Sequence, residues 1–171
     1  IQTYPDYAQA KRYSKEAADN GNVDAMVLYA KLCLKEKSTA IGNVRRNIKE
    51  ARKYLKVAIN RKSGEAMALY GQLLEQGYGI QEGSKDDAEE LYKKSQKKGS
   101  LEGEALFGYL EVESKKKEKE GLKKIIESKE AKNSTGLNNY GLVVLNGLCG
   151  LSKNKKEAAS CFKEAAEAGN P

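Results

Sequence analysis

Histidine and tryptophan are both missing from the 171 residues. The lack of histidine removes the commonest general base near neutral pH and the commonest metal ligand, so enzyme and metalloprotein classes lose ground and no cofactor is expected. Proline occurs only at Pro5 and Pro171, leaving the whole interior free of the strongest helix breaker. Cys33, Cys149 and Cys161 form no C-x-x-C pair, and an odd cysteine count in a chain this size suggests reduced thiols in a reducing, cytoplasmic setting. No run of about 18 apolar residues occurs that could span a bilayer. The chain opens on Ile1-Gln2-Thr3-Tyr4-Pro5-Asp6, with neither an initiator methionine nor a secretory leader, and is expected to be a piece of something longer.

What is present is ordinary for a domain with a core: 39% of the residues are hydrophobic, so the chain is not disordered by composition. The net charge of +7 is unevenly spread. Residues 35–62 carry ten basic groups against Glu36 and Glu50, a local balance of +8 that accounts for the entire excess. Elsewhere charges of both signs are interleaved, as on solvated helix surfaces.

An internal repeat organises the sequence. An aromatic followed by a small residue recurs as Tyr29-Ala30, Tyr70-Gly71, Phe107-Gly108 and Tyr140-Gly141. A second small position recurs as Ala10, Ala51, Ala88, Gly121 and Ala158. From each second-series residue to the next aromatic the count is 19 every time, whereas from each aromatic to the following small residue it is 22, 18, 14 and 18. One junction is therefore rigid, and all length variation falls in the other.

Each half reads as an amphipathic helix: Ala25, Leu28, Tyr29, Leu32 and Cys33 form one stripe, and Ile48, Ala51, Leu55, Ala58 and Ile59 another. Nothing alternates with a period of two. Second-type helices stop at Asn20-Gly21, Lys98-Gly99 and Gly169-Asn170, where glycine can close a helix in the left-handed region. Neither helix of a pair can bury its stripe alone, so the pairs are expected to stack into an all-α superhelix, or solenoid, of about nine helices with a continuous core. The expected layout is a single domain over 1–171: a leading helix at 6–20, then units at 23–62, 64–99, 101–133 and 135–170.

These residues resemble the Sel1-like repeat, a relative of the tetratricopeptide repeat. The second unit carries the resemblance best, with Ala66, Tyr70-Gly71, Leu74, Gly77-Tyr78-Gly79-Ile80, Asp86, Ala88 and Gly99. Ala17-Ala18 with Gly21, and Ala165-Ala166 with Gly169, extend it over nearly the whole chain. The third unit departs: Gly121 stands where alanine is expected and Lys124 falls on an apolar position, so this pair is expected to be looser or shorter. The resemblance implies a non-enzymatic scaffold or adaptor that binds another polypeptide on a concave face and is monomeric in isolation. A cysteine-rich branch of the family is linked to β-lactam binding, but these three cysteines do not reproduce its regular pairs.

By analogy with tetratricopeptide repeats, exposed positions of the first-type helices would line the groove. These are Val27, Lys31 and Leu34; Ala68, Gln72 and Glu75; Ala105, Tyr109 and Val112; and Asn138, Leu142 and Leu145. Residues 140–148 are apolar around most of the helix, which fits either burial on all sides or a sticky surface.

Arg45 and Arg46, just upstream of a helix, with Lys49, Lys53 and Lys56 along one face of it, make a basic surface. It is either a solvated face or a tether to acidic lipid or nucleic acid, although no aromatic stacking series interleaves the charges. Cys33 and Cys161 read as core, and Tyr54 as part of the packed side of its helix. Cys149 reads as the one exposed thiol, without a base to activate it. The glycines Gly77, Gly79 and Gly83 follow a helical pattern, whereas a dinucleotide loop needs a preceding strand, so they read as a turn.

Overall fold

A computed structural model describes residues 6–35, 41–77 and 85–169. Among these residues there are nine α-helices and no strand. In order they are α1 (Tyr7–Asp19), α2 (Val23–Lys35), α3 (Ile41–Asn60), α4 (Gly64–Glu75), α5 (Lys85–Lys97), α6 (Leu101–Glu113), α7 (Glu118–Glu130), α8 (Ser134–Asn146) and α9 (Lys155–Glu167). The chain forms two compact units, Ile1–Ala88 and Glu89–Pro171. In the first, α1 packs on α2, α2 on α3 and α3 on α4. In the second, α6 packs on α7, α7 on α8, α8 on α9, and α6 also on α8, so two successive first-type helices lie side by side.

The rigid junction is one three-residue turn used four times. After α1, α3, α5 and α7 the chain passes through a left-handed residue, Gly21, Lys62, Gly99 or Lys132, with φ of 93°, 64°, 77° and 55°. The next residue, Asn22, Ser63, Ser100 or Asn133, donates its N–H to a carbonyl five residues back, at Ala17, Ala58, Ser95 or Ser128, over 3.0, 3.1, 3.2 and 3.0 Å. The same residue then caps the next helix, its side-chain oxygen accepting from the N–H of Ala25, Ala66, Gly103 or Gly136. Each turn thus satisfies orphan carbonyls of one helix and an orphan donor of the next, with a side-chain cap contributing about 1 kcal/mol.

That turn also forces close packing. A Cβ placed on Gly136 would lie 2.6 Å from the backbone and side chain of Ser128, and one on Gly103 would lie 2.1 Å from the Ser95 hydroxyl. Ser95 and Ser128 are fully buried where Ala58 stands in the first unit, and Ala66 there takes the place of the glycines. Alanine facing alanine and serine facing glycine fill the same small volume. The Ser128 hydroxyl donates to the Leu101 carbonyl at 3.1 Å, so the extra oxygen is satisfied as well as accommodated.

Within each pair, small residues bring the helices together as expected. Ala30 and Ala51 are completely buried in the first unit, whose core also holds Tyr29 and Tyr54 edge to face with centroids 4.9 Å apart. Leu28 departs from its expected stripe and is 50% exposed, while Met26 and Val27 are buried beside it. Helix α2 is enclosed on a broader and differently centred arc than a single-stripe pattern anticipates.

The third pair is not loose. A Cβ on Gly121 would fall 2.5 Å from the Gly108 carbonyl oxygen, so glycine replaces alanine there because α6 and α7 cross backbone against backbone. Lys124 has an equally specific cause. Its ammonium lies 2.5 Å from the carboxylate of buried Glu111 and 4.3 Å from the centre of the Phe107 ring. In the repeat register Glu111 and Lys124 occupy the places of Leu74 and Leu91, or of Val144 and Cys161. An ion pair has replaced an apolar pair.

The variable intervals are accounted for in part. Helices α5, α7 and α9 each begin three residues before their small residue, while α3 begins ten before Ala51 and runs for 20 residues against their 13. The longest interval is taken up by extra helix. The shortest leaves only residues 114–117 between α6 and α7.

Two measurements test this packing. Gly136→Ala should lower stability by about 1–3 kcal/mol in urea unfolding through overpacking against Ser128, and a loss below about 0.5 kcal/mol would refute the close approach. Glu111→Leu and Lys124→Leu should each cost about 3 kcal/mol, while the double substitution should restore stability to within about 1 kcal/mol of the parent. Additive losses in that cycle would contradict the exchange of an ion pair for an apolar one.

Candidate functional site

Each unit presents one distinctive surface. In the second unit, α8 turns Leu137, Val143 and Val144 inward, and these are buried. Asn138, Leu142 and Leu145, at i, i+4 and i+7, share another face and are half-buried. The neighbouring α6 is held alongside by the Asn139 side-chain amide, which donates to the Ala105 carbonyl at 3.0 Å. Tyr109 on α6 is half-buried against the cluster of Val112, Ile125 and Val143. The α8 face therefore bears two leucines and one amide and no acid–base constellation.

Several nominated groove residues are not available to a partner. Val27 and Val112 are only 3% and 2% exposed, and both belong to core clusters. Ala68 and Ala105 are completely buried. The reason is shared: first-type helices are packed on more than one side, so a position opposite the main stripe still meets a neighbour. In the first unit Lys31 lies 3.9 Å from Glu65, Leu34 packs on the core, Gln72 is half-buried and Glu75 is exposed. These residues make a more polar surface than that of α8.

The second surface belongs to α3. Arg45, Arg46, Lys49, Lys53 and Lys56 are all exposed. Arg45 and Arg46 lie inside the helix rather than upstream of it, because α3 begins at Ile41. Its first turn has no acidic residue. Lys53 sits 5.3 Å from the centre of the Tyr54 ring. Tyr54 is buried, and its hydroxyl donates to the Asp19 carboxylate, as expected of a residue on the packed side. Asp19 is held below the ordinary carboxylate range first by its hydrogen bond to Lys15 and then by Tyr54.

All three cysteines are free thiols, with Cys33 and Cys161 buried. Cys149 is not the exposed thiol its loop position suggests. It is half-buried, packs with Leu148 and Leu151 on the second-unit core, and directs its sulfur to the Glu118 carbonyl at 3.6 Å. Burial, then the Glu118 charge, push its thiol above the ordinary value of 9.0, away from reactive thiolate. Gly77 closes α4 with φ of 67°, while Tyr78, Gly79, Ile80 and Gly83 lie outside the described residues. Among the described residues no group of three or more His, Cys, Asp or Glu side chains could hold a metal, and no helix is long and apolar enough to cross a membrane.

Helix pairs joined by a fixed capped turn, with the successive first-type helices α6 and α8 in contact, define an α-solenoid repeat of the tetratricopeptide-like class. Residues 2–22, 23–63, 64–100 and 134–170 match the family described as the Sel1 repeat, and the chain belongs to that family. The stretch left unmatched contains the third pair, where Gly121, Glu111 and Lys124 depart from the pattern while the helices persist.

Solved structures agree on the fold. A Sel1 repeat protein from Oxalobacter formigenes is 19% identical, with a TM-score of 0.59, covering 94% of this chain and 62% of that one. The protein c5321, described as a protective antigen of uropathogenic Escherichia coli with this fold, is 20% identical at a TM-score of 0.57, covering 94% and 33%. A Sel1 repeat protein from Klebsiella pneumoniae subsp. pneumoniae is 17% identical at a TM-score of 0.69, covering 93% and 74%. The chain therefore spans less than two thirds of the length of the first two. No curated protein matches it. Sel1 repeat proteins generally mediate protein–protein interaction, and the fold is typically that of a non-enzymatic scaffold.

The sign of the thiol shift gives a test. A thiol whose folded value is raised contributes its full stability below 9.0 and loses it as pH rises through the folded value. Burial likewise raises Tyr29, Tyr54 and Tyr140 above 10.0. The Tm should therefore be nearly level between about pH 7 and 9 and fall beyond it. Iodoacetamide at about pH 8 should label native Cys149 at least about tenfold more slowly than the guanidinium-unfolded chain. Equal labelling rates would show the thiol to be open.

Proposed function

We propose that the chain is a non-enzymatic scaffold that binds another polypeptide along the face of α8 bearing Asn138, Leu142 and Leu145, with Tyr109 of α6 beside it. The half-buried apolar strip carries this reading, since it offers leucine side chains next to an amide on a surface that the second-unit core leaves open. In the first unit Lys31, Leu34, Gln72 and Glu75 offer a separate, more polar contact, and the isolated chain is a monomer. Catalysis is disfavoured because the chain has no histidine and the Cys149 thiol is drawn into the packing.

Leu142→Glu/Leu145→Glu should leave the helical circular dichroism and Tm essentially unchanged while reducing capture of a specific partner from the native cell by at least tenfold, or about 1.4 kcal/mol. Undiminished capture by the folded variant would remove the α8 face from the interface.

A further inference from the structure

The second-type helices differ in how they handle their charge. On α1, Lys15 pairs with Asp19 at 2.6 Å. On α5, Lys93 pairs with Glu89 at 2.5 Å and Lys94 with Glu90 at 2.7 Å. On α7, Lys123 meets Glu127 at 3.7 Å, and on α9, Lys163 meets Glu167 at 3.9 Å. Each of these four helices carries its own i,i+4 counter-charge. Helix α3 has Glu50 as its one acid, and among the described residues no carboxylate forms an ion pair with Arg45, Arg46, Lys49, Lys53 or Lys56.

The placement of those five groups is narrow. At 100° per residue they fall within an arc of about 100°, and from Arg45 to Lys56 they extend along about 16 Å of helix. Arg45 and Arg46 stand in the N-terminal extension that α5, α7 and α9 lack. They lie just past a first turn that carries no acidic residue, so no carboxylate at the start of the helix offsets them. The nearest internal acids are Glu50 on α3 itself and Asp19, whose charge feels Lys53, and with neither ion-paired to the stripe its excess positive charge is complementary to an external anion.

We propose that the α3 stripe is a docking surface for an acidic, Asp/Glu-rich polypeptide segment. A single file of cations about one helical turn apart matches an extended chain bearing carboxylates at alternate residues, spaced about 6–7 Å. Single-stranded nucleic acid is disfavoured because no exposed aromatic lies among the charges to stack a base. A bilayer is disfavoured because the apolar side of α3, with Ala51, Leu55 and Ala58, is buried in the first-unit core, and Val57, 40% exposed beside the stripe, is a single side chain rather than an apolar face to insert. The surface is separate from the α8 face and does not depend on it.

The test uses the full chain and three probes: a fluorescein-labelled alternating Asp-Glu dodecapeptide, a duplex DNA of about 30 base pairs, and vesicles of phosphatidylcholine with about 30% phosphatidylserine. The peptide should bind most tightly, weaken several-fold between about 50 and 200 mM salt, and lose at least tenfold in affinity in Arg45→Gln/Lys49→Gln/Lys56→Gln. Lys163→Gln should bind as the parent does, and Leu142→Glu/Leu145→Glu should retain peptide binding, which separates this site from the α8 face. Melting curves confirm that each variant is folded. Unchanged peptide affinity in the folded triple variant, or tighter binding to the duplex or the vesicles than to the peptide, overturns the proposal.

Discussion

The structure depends on the capped turn that links each second-type helix to the following first-type helix. A left-handed residue closes one helix, and the next residue caps the other. Because both hydrogen bonds come from one residue, the second helix cannot slide or rotate without breaking either a carbonyl bond or a cap. The carbonyl acceptor and the capped N–H belong to residues at the helix crossing. Where the acceptors are Ser95 and Ser128, the capped residues must be Gly103 and Gly136, since a Cβ on either would penetrate the serine. Local hydrogen bonding and interhelical packing are one constraint here, which is why the 19-residue spacing is invariant while side chains at the crossing trade volume.

The other junction has no such coupling, and the chain uses that freedom in several ways. Between α8 and α9 it forms a loop whose Leu148, Cys149 and Leu151 return to the core, with Gly147, Cys149 and Gly150 at positive φ. Between α6 and α7 only four residues remain, and the helices cross at Gly108 and Gly121. Before Ala51 the additional length becomes helix and carries Arg45 and Arg46. Extra length here costs little because the entropy of loop closure grows only slowly with residue number.

Much of this was legible in the sequence because it is periodic. The invariant spacing, the small residues at the helix crossings, and the burial of Tyr54, Cys33 and Cys161 follow from comparing the chain with itself, while the family came from the resemblance of its motifs. What escaped is what depends on partners distant in sequence. Helical periodicity places Leu28 on an apolar stripe, but α2 is enclosed by neighbours on a different arc and leaves it exposed. Val27 and Val112 look accessible for the same reason and are core. Lys124 looks like a defect until Glu111, thirteen residues earlier, is seen to occupy the matching apolar place. A sequence signal did exist there, since two charged residues of opposite sign replace two apolar ones at facing register positions.

A repeat whose crossing residues are this constrained has few places to vary without loss of the fold. Positions at +4 and +7 from Ala51, Ala88 and Gly121 are filled by Leu55, Tyr92 and Ile125, and by Ala58, Ser95 and Ser128, all buried. Differences between units must therefore accumulate on faces that neither the turn nor the crossing uses. The half-buried side of α8 and the outer side of α3 are such faces, and they differ in kind: one withholds apolar surface from the core, the other withholds counter-charge from its own helix. A ligand on the first would gain by removing water from leucine side chains, and one on the second by releasing counterions, a term that salt weakens. Because only one of the two proposed surfaces responds to ionic strength, their ligands would be separable by salt.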